Sequence, residues 1–176
     1  MKNVILAICL VIIFQACQQN KGESTASILP AGDTLSYVYK AGYSSDFTVP
    51  SNRENTQRVL KVWKFFESNL IDSMRPYFAD SLNYQDASGM HYRGSADGLL
   101  DIVRNEMKNL DSLRFDIQSW ESVHVNDKNE DWVRIWSRER TYPKHGNPDT
   151  VLMQENWLIK GGKVDYFDEY KAKPHL

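Results

Sequence analysis

The chain has 176 residues, 41% of them hydrophobic, 25% charged and 12% aromatic, a globular composition that excludes a disordered, collagenous or polytopic membrane chain. That length suits a single core of ordinary size. Lysine and arginine total 21 against 23 aspartates and glutamates, so a formal charge of -2 leaves no basic field to attract nucleic acid.

Met1-Lys2-Asn3 carries one positive side chain, and residues 4–14 form an unbroken apolar run of 11. Such a run is half the length needed to span a bilayer and right for the core of a signal peptide. It leads into Phe14-Gln15-Ala16-Cys17 and the polar Gln18, Gln19 and Asn20. This stretch resembles the lipobox of bacterial lipoproteins, with Phe14 where leucine is usual. The resemblance implies cleavage before Cys17, acylation of that cysteine, and a lipid-anchored protein of the bacterial cell envelope, periplasmic or surface-exposed. Membrane contact is then through the lipid, at about 0.8 kcal/mol per buried methylene. A secreted chain with a fortuitous cysteine is the competing reading. The other cysteine, Cys9, falls in the removed segment, so the folded part carries no thiol for disulfides, nucleophilic catalysis or zinc.

Residues 17–33, the lipidated cysteine and a stretch rich in Gln, Lys, Gly, Ser and Thr, read as a flexible tether. Residues 34–50, with Tyr37, Tyr39, Tyr43 and Phe47 partly alternating, read as an extended strap. The domain proper is expected over 51–176. Pro50-Ser51 with Glu54 is a capping-box pattern, and Val59, Val62, Trp63, Phe66 and Leu70 then recur at helical spacing. Asp72 is positioned to cap a second short helix through Phe78, with Pro76 in its first turn. Residues 82–86 and 91–93 read as strands around a Ser88-Gly89 turn. Ser95 then caps a third helix with Leu99, Val103, Met107 and Leu110 on one face.

From Leu113 the period becomes two. Leu113, Phe115, Ile117, Val123 and Val125 fall on one side of a long strand, and Trp120 and His124 on the other. After the Asn126-Asp127-Lys128-Asn129 turn, Val133 and Ile135 share one face, while Trp132, Arg134, Trp136, Arg138 and Arg140 share the opposite one. Further strands are expected over 151–159 and 164–170, separated by Gly161-Gly162.

Helices followed by an antiparallel meander, with Phe78-Ala79-Asp80, Asp86, Gly94 and Gly162-Lys163-Val164 through Tyr170, resemble the NTF2-like superfamily over about residues 52–171. That group includes SnoaL-like polyketide cyclases and ketosteroid isomerases. The resemblance implies an α+β fold in which N-terminal helices pack on a strongly curved antiparallel sheet. It also implies a cone-shaped roll that can hold a small apolar ligand, and a homodimer formed through the sheet. Fold does not fix function.

Without thiols, the available chemistry is acid-base work by carboxylates, histidines and tyrosines. The resemblance places Asp86 where ketosteroid isomerase-like members carry their general base, and burial there would raise its pKa. The competing reading is a turn aspartate bonding its own backbone. The enolate-stabilising tyrosine of those members falls at Val62 and the helper acid near Gln154 or Glu155. The oxyanion hole is therefore missing, and no ketosteroid isomerase activity is expected. His91 beside Asp86 offers a base-and-orienter pair. A metal there would need a third ligand such as Glu155 or Asp168, no His-x-x-x-His spacing exists, and neither metal nor cofactor is expected.

Trp120, Trp132, Arg134, Trp136 and Arg138, with Glu155 and Trp157 on a nearby strand, suit either a pocket for a flat or sugar-like ligand or a dimer interface. Trp63, Tyr84 and His124 complete the ligand-contacting candidates, although the spacing of Trp63 and Phe66 matches that of Val59 and Val62 and favours the core for both. Tyr166, Asp168 and Tyr170 share a face of the last strand and are positioned to close the cone. The preferred reading is a tethered binding module for a small apolar or carbohydrate ligand or a protein partner. The alternative is a cofactor-free SnoaL-like enzyme acting through Asp86 or His91.

Overall fold

The computed structural model describes residues 38–50 and 53–174. The signal peptide, Cys17, the tether and the first four residues of the strap (34–37) lie outside the described residues, as do Ser51 and His175. The architecture below is that of the unit Ala41–Leu176.

The first helix, α1 (Glu54–Glu67), buries Val59, Val62 and Trp63 on one stripe. Arg53 stands at its N-cap without a side-chain cap. Asn69 takes φ 55 and ends it, a left-handed conformation that asparagine tolerates better than most residues. Leu70 thus lies beyond the helix and is half exposed, contrary to the periodicity. The next segment, Ile71–Tyr77, is a 3₁₀ helix rather than an α-helix. Three residues per turn align Ile71 and Met74 on one buried line, and Pro76 is accommodated inside.

Strands β2 (Phe78–Gln85) and β3 (His91–Ser95) form a hairpin whose turn uses Gly89 at φ 90. Helix α2 (Ala96–Met107) starts as expected, with Ser95 Oγ accepting the Gly98 amide at 3.1 Å. It buries Ala96, Leu99, Leu100 and Met107. A meander follows through β4 (Leu110–Val125), β5 (Glu130–Pro143), β6 (Asp149–Lys160) and β7 (Lys163–Ala172). The strap contributes β1 (Phe47–Thr48), which pairs with the end of β4. Ser44 Oγ donates to Asp127 at 2.7 Å and Thr48 Oγ1 to Asn126 at 3.0 Å, fastening this segment to the β4–β5 turn.

The seven strands run in the order β1-β4-β5-β6-β7-β2-β3. All pairs are antiparallel except β2 with β7, which is parallel. Five strands, β2 and β4 to β7, line one cavity with both helices, so the sheet curls around its helix-covered inner face. The core sits there, with Val59, Val62, Phe78, Leu82, Leu99, Leu100, Val133 and Ile135 all at most 2% exposed.

One irregularity rearranges the faces. The β4–β5 register shifts between Ile117 and Ser119, so Ile117 pairs with Ser137 and Trp120 with Ile135. Leu113, Phe115 and Ile117 therefore share the inner parity with Trp120, Ser122 and His124, while Val123 and Val125 belong to the outer face. Strict alternation puts those residues the other way round, because one extra residue in a strand reverses every side chain beyond it.

Candidate functional site

Between the helices and the inner face lies a cavity of about 200 Å³. Trp63 and Phe66 from α1, and Leu99, Leu100, Val103 and Met107 from α2, form its helical wall. The opposite wall is an aromatic stack in which Phe167 lies 4.4 Å from Trp157 on one side and 4.4 Å from Tyr84 on the other. These rings come together because Trp157 pairs with Phe167 across β6–β7, and Phe167 with Tyr84 across β7–β2.

The floor is acidic. Glu139 of β5, Glu155 of β6 and Glu169 of β7 follow the inner parity of Ile135, Trp157 and Phe167, and Glu155 pairs directly with Glu169. All three are buried, at 9%, 8% and 8% exposure. Trp157 Nε1 donates to Glu155 Oε2 at 2.9 Å. The Tyr84 hydroxyl donates to Glu169 Oε1, and Lys171 Nζ lies 2.9 Å from Glu169 Oε2. Glu139 has no hydrogen bond or ion pair among the described residues. Glu106 of α2 stands at the mouth.

The electrostatics follow from this crowding. Burial, then the charge of Glu169, pushes Glu155 well above its ordinary value. Burial also raises Glu139, with Lys171 pulling back and Glu169 adding to the rise. Glu106 is exposed as a whole residue, but partial burial of its carboxyl raises it too. Tyr84 is pushed up by burial and by the charge of Glu169. Burial works to lower Lys171, and the charges of Glu169 and Glu139 overcome it and hold the ammonium above its usual range. The floor thus combines carboxyls that burial biases toward the protonated form with an ammonium that the neighbouring glutamates hold charged.

The residues singled out from the sequence divide into separate places. Trp63, Tyr84, Glu155 and Trp157 line the cavity. Asp86 sits in the β2–β3 turn, where its Oδ1 accepts Ser88 N at 2.8 Å, Ser88 Oγ at 2.7 Å and Met90 N at 2.8 Å. Slight burial works to raise its carboxyl, but these hydrogen bonds outweigh that and hold it below the ordinary range. A base for neutral pH needs the opposite shift. His91 is exposed at the start of β3, and no hydrogen bond joins it to Asp86. The pair is not formed.

Trp120 and His124 stand away from the cavity. Trp120 is 51% exposed, and His124 Nδ1 lies 2.8 Å from Asp131 Oδ1. Trp136, Arg138 and Asp168 occupy the outer face, opposite Glu155 and Trp157, because Trp136 pairs with Gln154 and Ile135 with Glu155. Tyr166, Asp168 and Tyr170 do share a face, but it is this outer one, so they do not close the cone. A polar ladder crosses the outer face. Arg134 donates to Glu121 at 2.6 Å and to Asn156 at 2.8 Å, and Asn156 and Tyr166 both donate to Asp168. A second hollow, about 230 Å³ and more open, lies there under Tyr43 and Phe47. Among the described residues no group of three or more His, Cys, Asp or Glu is arranged to hold a metal ion.

Glu106, Glu139, Glu169 and Lys171 were not among the sequence candidates. Parity marks three of them: Glu139 continues the Val133, Ile135 series, and Glu169 and Lys171 share the side of Phe167.

No known family matches the chain, and no curated protein does. Solved structures do. An LEH-like epoxide hydrolase from M. tuberculosis superposes with TM-score 0.59 at 11% identity, over 70% of this chain and 86% of that one. An NTF2-like protein of unknown function from Burkholderia pseudomallei matches with TM-score 0.56 at 14% identity, over 68% and 91%. A protein with a ketosteroid isomerase-like fold from Catenulispora acidiphila, in complex with trimethylamine, matches with TM-score 0.53 at 16% identity, over 70% and 86%. At these identities the likeness establishes the fold: an NTF2-like α+β cone.

Proposed function

We propose that this NTF2-like chain binds a small, largely apolar molecule inside its cone, with a polar group of that molecule directed at the glutamate floor. The observation that carries the reading is Glu139, nine-tenths buried at the cavity and without a hydrogen-bond partner among the described residues. A polar group buried without a partner costs free energy that a ligand group can relieve. The aromatic and aliphatic walls supply the remaining attraction, about 2.5 kcal/mol for each 100 Å² of apolar surface removed from water. Neighbours of this fold include an enzyme named for epoxide hydrolysis and a protein that holds trimethylamine, which supports a cone open to small molecules.

One observation favours turnover as a second reading. Glu155 and Glu139 face one cavity with carboxyls raised toward working pH, so proton transfer would belong to this floor rather than to Asp86 or His91. The envelope anchor belongs to the same proposal, supported by the apolar run and by Cys17. Labelling by a fatty acid that disappears in Cys17→Ser tests it.

The cavity reading is tested with a fragment library screened by ligand-observed NMR against the wild type and Val103→Trp. Val103 is half-buried in the cavity wall, so an indole there fills the chamber. Fragments whose signals are lost in the variant support the proposal. A screen in which every hit binds both proteins equally rejects it.

A further inference from the structure

The charge of the chamber limits what it can receive. Glu106, Glu139, Glu155 and Glu169 line it, and Lys171 is the one cation among its lining residues. Lys171 is already committed to Glu169. Asp86, on the turn after β2, adds further negative potential, felt by Glu106 and Tyr84. Each carboxylate is held in a field made by the others, so an anionic guest meets repulsion and a neutral guest leaves that field uncompensated. Glu139 is the independent sign of a missing partner. It is 9% exposed, it lines the cavity, and no hydrogen bond or ion pair joins it to another of the described residues, although the Lys171 charge acts on it through space.

From this juxtaposition of an unpartnered Glu139, an excess of carboxylates and aromatic walls, we propose that the natural ligand is an organic ammonium: a protonated amine on a compact apolar body. It rests on the cone being a binding chamber and adds the class of guest. The ammonium hydrogen-bonds Glu139, and the apolar body packs against Trp63, Trp157 and Phe167, where ring faces also favour a cation. Such a guest stabilises the charged form of every carboxylate on the floor. Binding therefore displaces any protons held on the floor, and affinity rises with pH while the amine stays protonated. The groups that answer are Glu106 from α2, Glu139 from β5, Glu155 from β6, and Glu169 and Lys171 from β7, with the Tyr84 hydroxyl from β2.

The test uses three guests of nearly one shape: tert-butylammonium, tert-butanol and pivalate. Calorimetry on the purified protein at pH 7 is expected to show tert-butylammonium binding at least tenfold more tightly than tert-butanol, with pivalate weaker still. In buffers of different ionisation enthalpy the heat should reveal proton release. Glu139→Gln should cost the ammonium fivefold or more and leave tert-butanol within twofold. Should that variant fail to fold, Glu106→Gln at the mouth and a wild-type series from pH 5 to 8 decide. Affinity for the ammonium should rise along that series, and a flat or falling trend overturns the proposal. Equal or tighter binding of tert-butanol or pivalate overturns the ammonium and keeps the chamber. No binding by any of the three overturns both.

Discussion

Glu155→Gln isolates the cost of keeping a carboxyl on the floor of the cone. In the folded protein burial and the Glu169 charge raise this group well above its ordinary value of 4.5, whereas the unfolded chain leaves it near that value. Between those two pKa values the native state holds a proton that the unfolded state has lost, so stability is full below about pH 4.5 and declines as pH rises. One group gives a slope of at most about 1.4 kcal/mol per pH unit, or about 2.7 kcal/mol over two units. Glutamine keeps an oxygen to accept the Trp157 indole but brings an amide that needs its own partner, a constant cost of about 1 kcal/mol. That offset does not depend on pH. Urea unfolding of both proteins at pH 5, 6, 7 and 8 is the assay, and groups common to both cancel in the difference. The variant is expected to gain on the wild type as pH rises from 5 to 8, by at most about 1.4 kcal/mol per pH unit. Parallel stability profiles would refute the reasoning, because they would mean that Glu155 ionises in the fold as freely as in the unfolded chain.

Other outcomes follow from the packing. Ser95→Ala removes the acceptor for the Gly98 amide and should cost about 1 kcal/mol in denaturant unfolding while leaving ligand binding intact. Gly98→Ala would ordinarily stabilise a helix by up to about 1 kcal/mol. Here a Cβ would lie 2.4 Å from Tyr92 Oη, which is tied to Ser95 O, so the substitution should lower the melting temperature, with partial recovery in Tyr92→Phe/Gly98→Ala. Trp63→Ala opens the helical wall and should cost about 3–5 kcal/mol by the same unfolding assay. If the outer sheet face joins two copies, Trp136→Glu should shift a dimer to monomer in sedimentation without loss of secondary structure by circular dichroism.

The fold was legible wherever local chemistry agrees with the tertiary outcome. Ser95 announces α2 because its hydroxyl meets an amide that has no helical partner. The meander shows because turn residues separate runs of period two, and the order of helices and strands suffices for the cone. The site was less legible, for two physical reasons. The shift between Ile117 and Ser119 sends Trp120 and His124 to the inner parity, and Gln118 carries no chemical mark that would reveal it. Charged residues in a strand also read as solvated. Glu139 between Arg138 and Arg140, and Glu169 beside Asp168, look like surface until the register places them inside. Asp86 drew attention through the resemblance, but its Oδ1 is engaged by its own turn.

The parallel seam between β2 and β7 governs when this molecule comes into being. Apart from its hairpin partner β3, β2 has no neighbour in the sheet except β7, and its contact there joins Asn83 to Tyr166 across half the chain. A ribosome that has delivered both helices and the hairpin has delivered nothing to cover Phe78 from the sheet side, since Trp157 and Phe167 come later. Closing so long a loop is slow, because its entropy is lost before any contact rewards it. Phe167, the middle ring of the stack, arrives with that last strand, together with Glu169 and Lys171. The nascent chain therefore stays open until synthesis is nearly finished, and loss of β7 would take Glu169 and Lys171 from the floor of the chamber along with the sheet's closure.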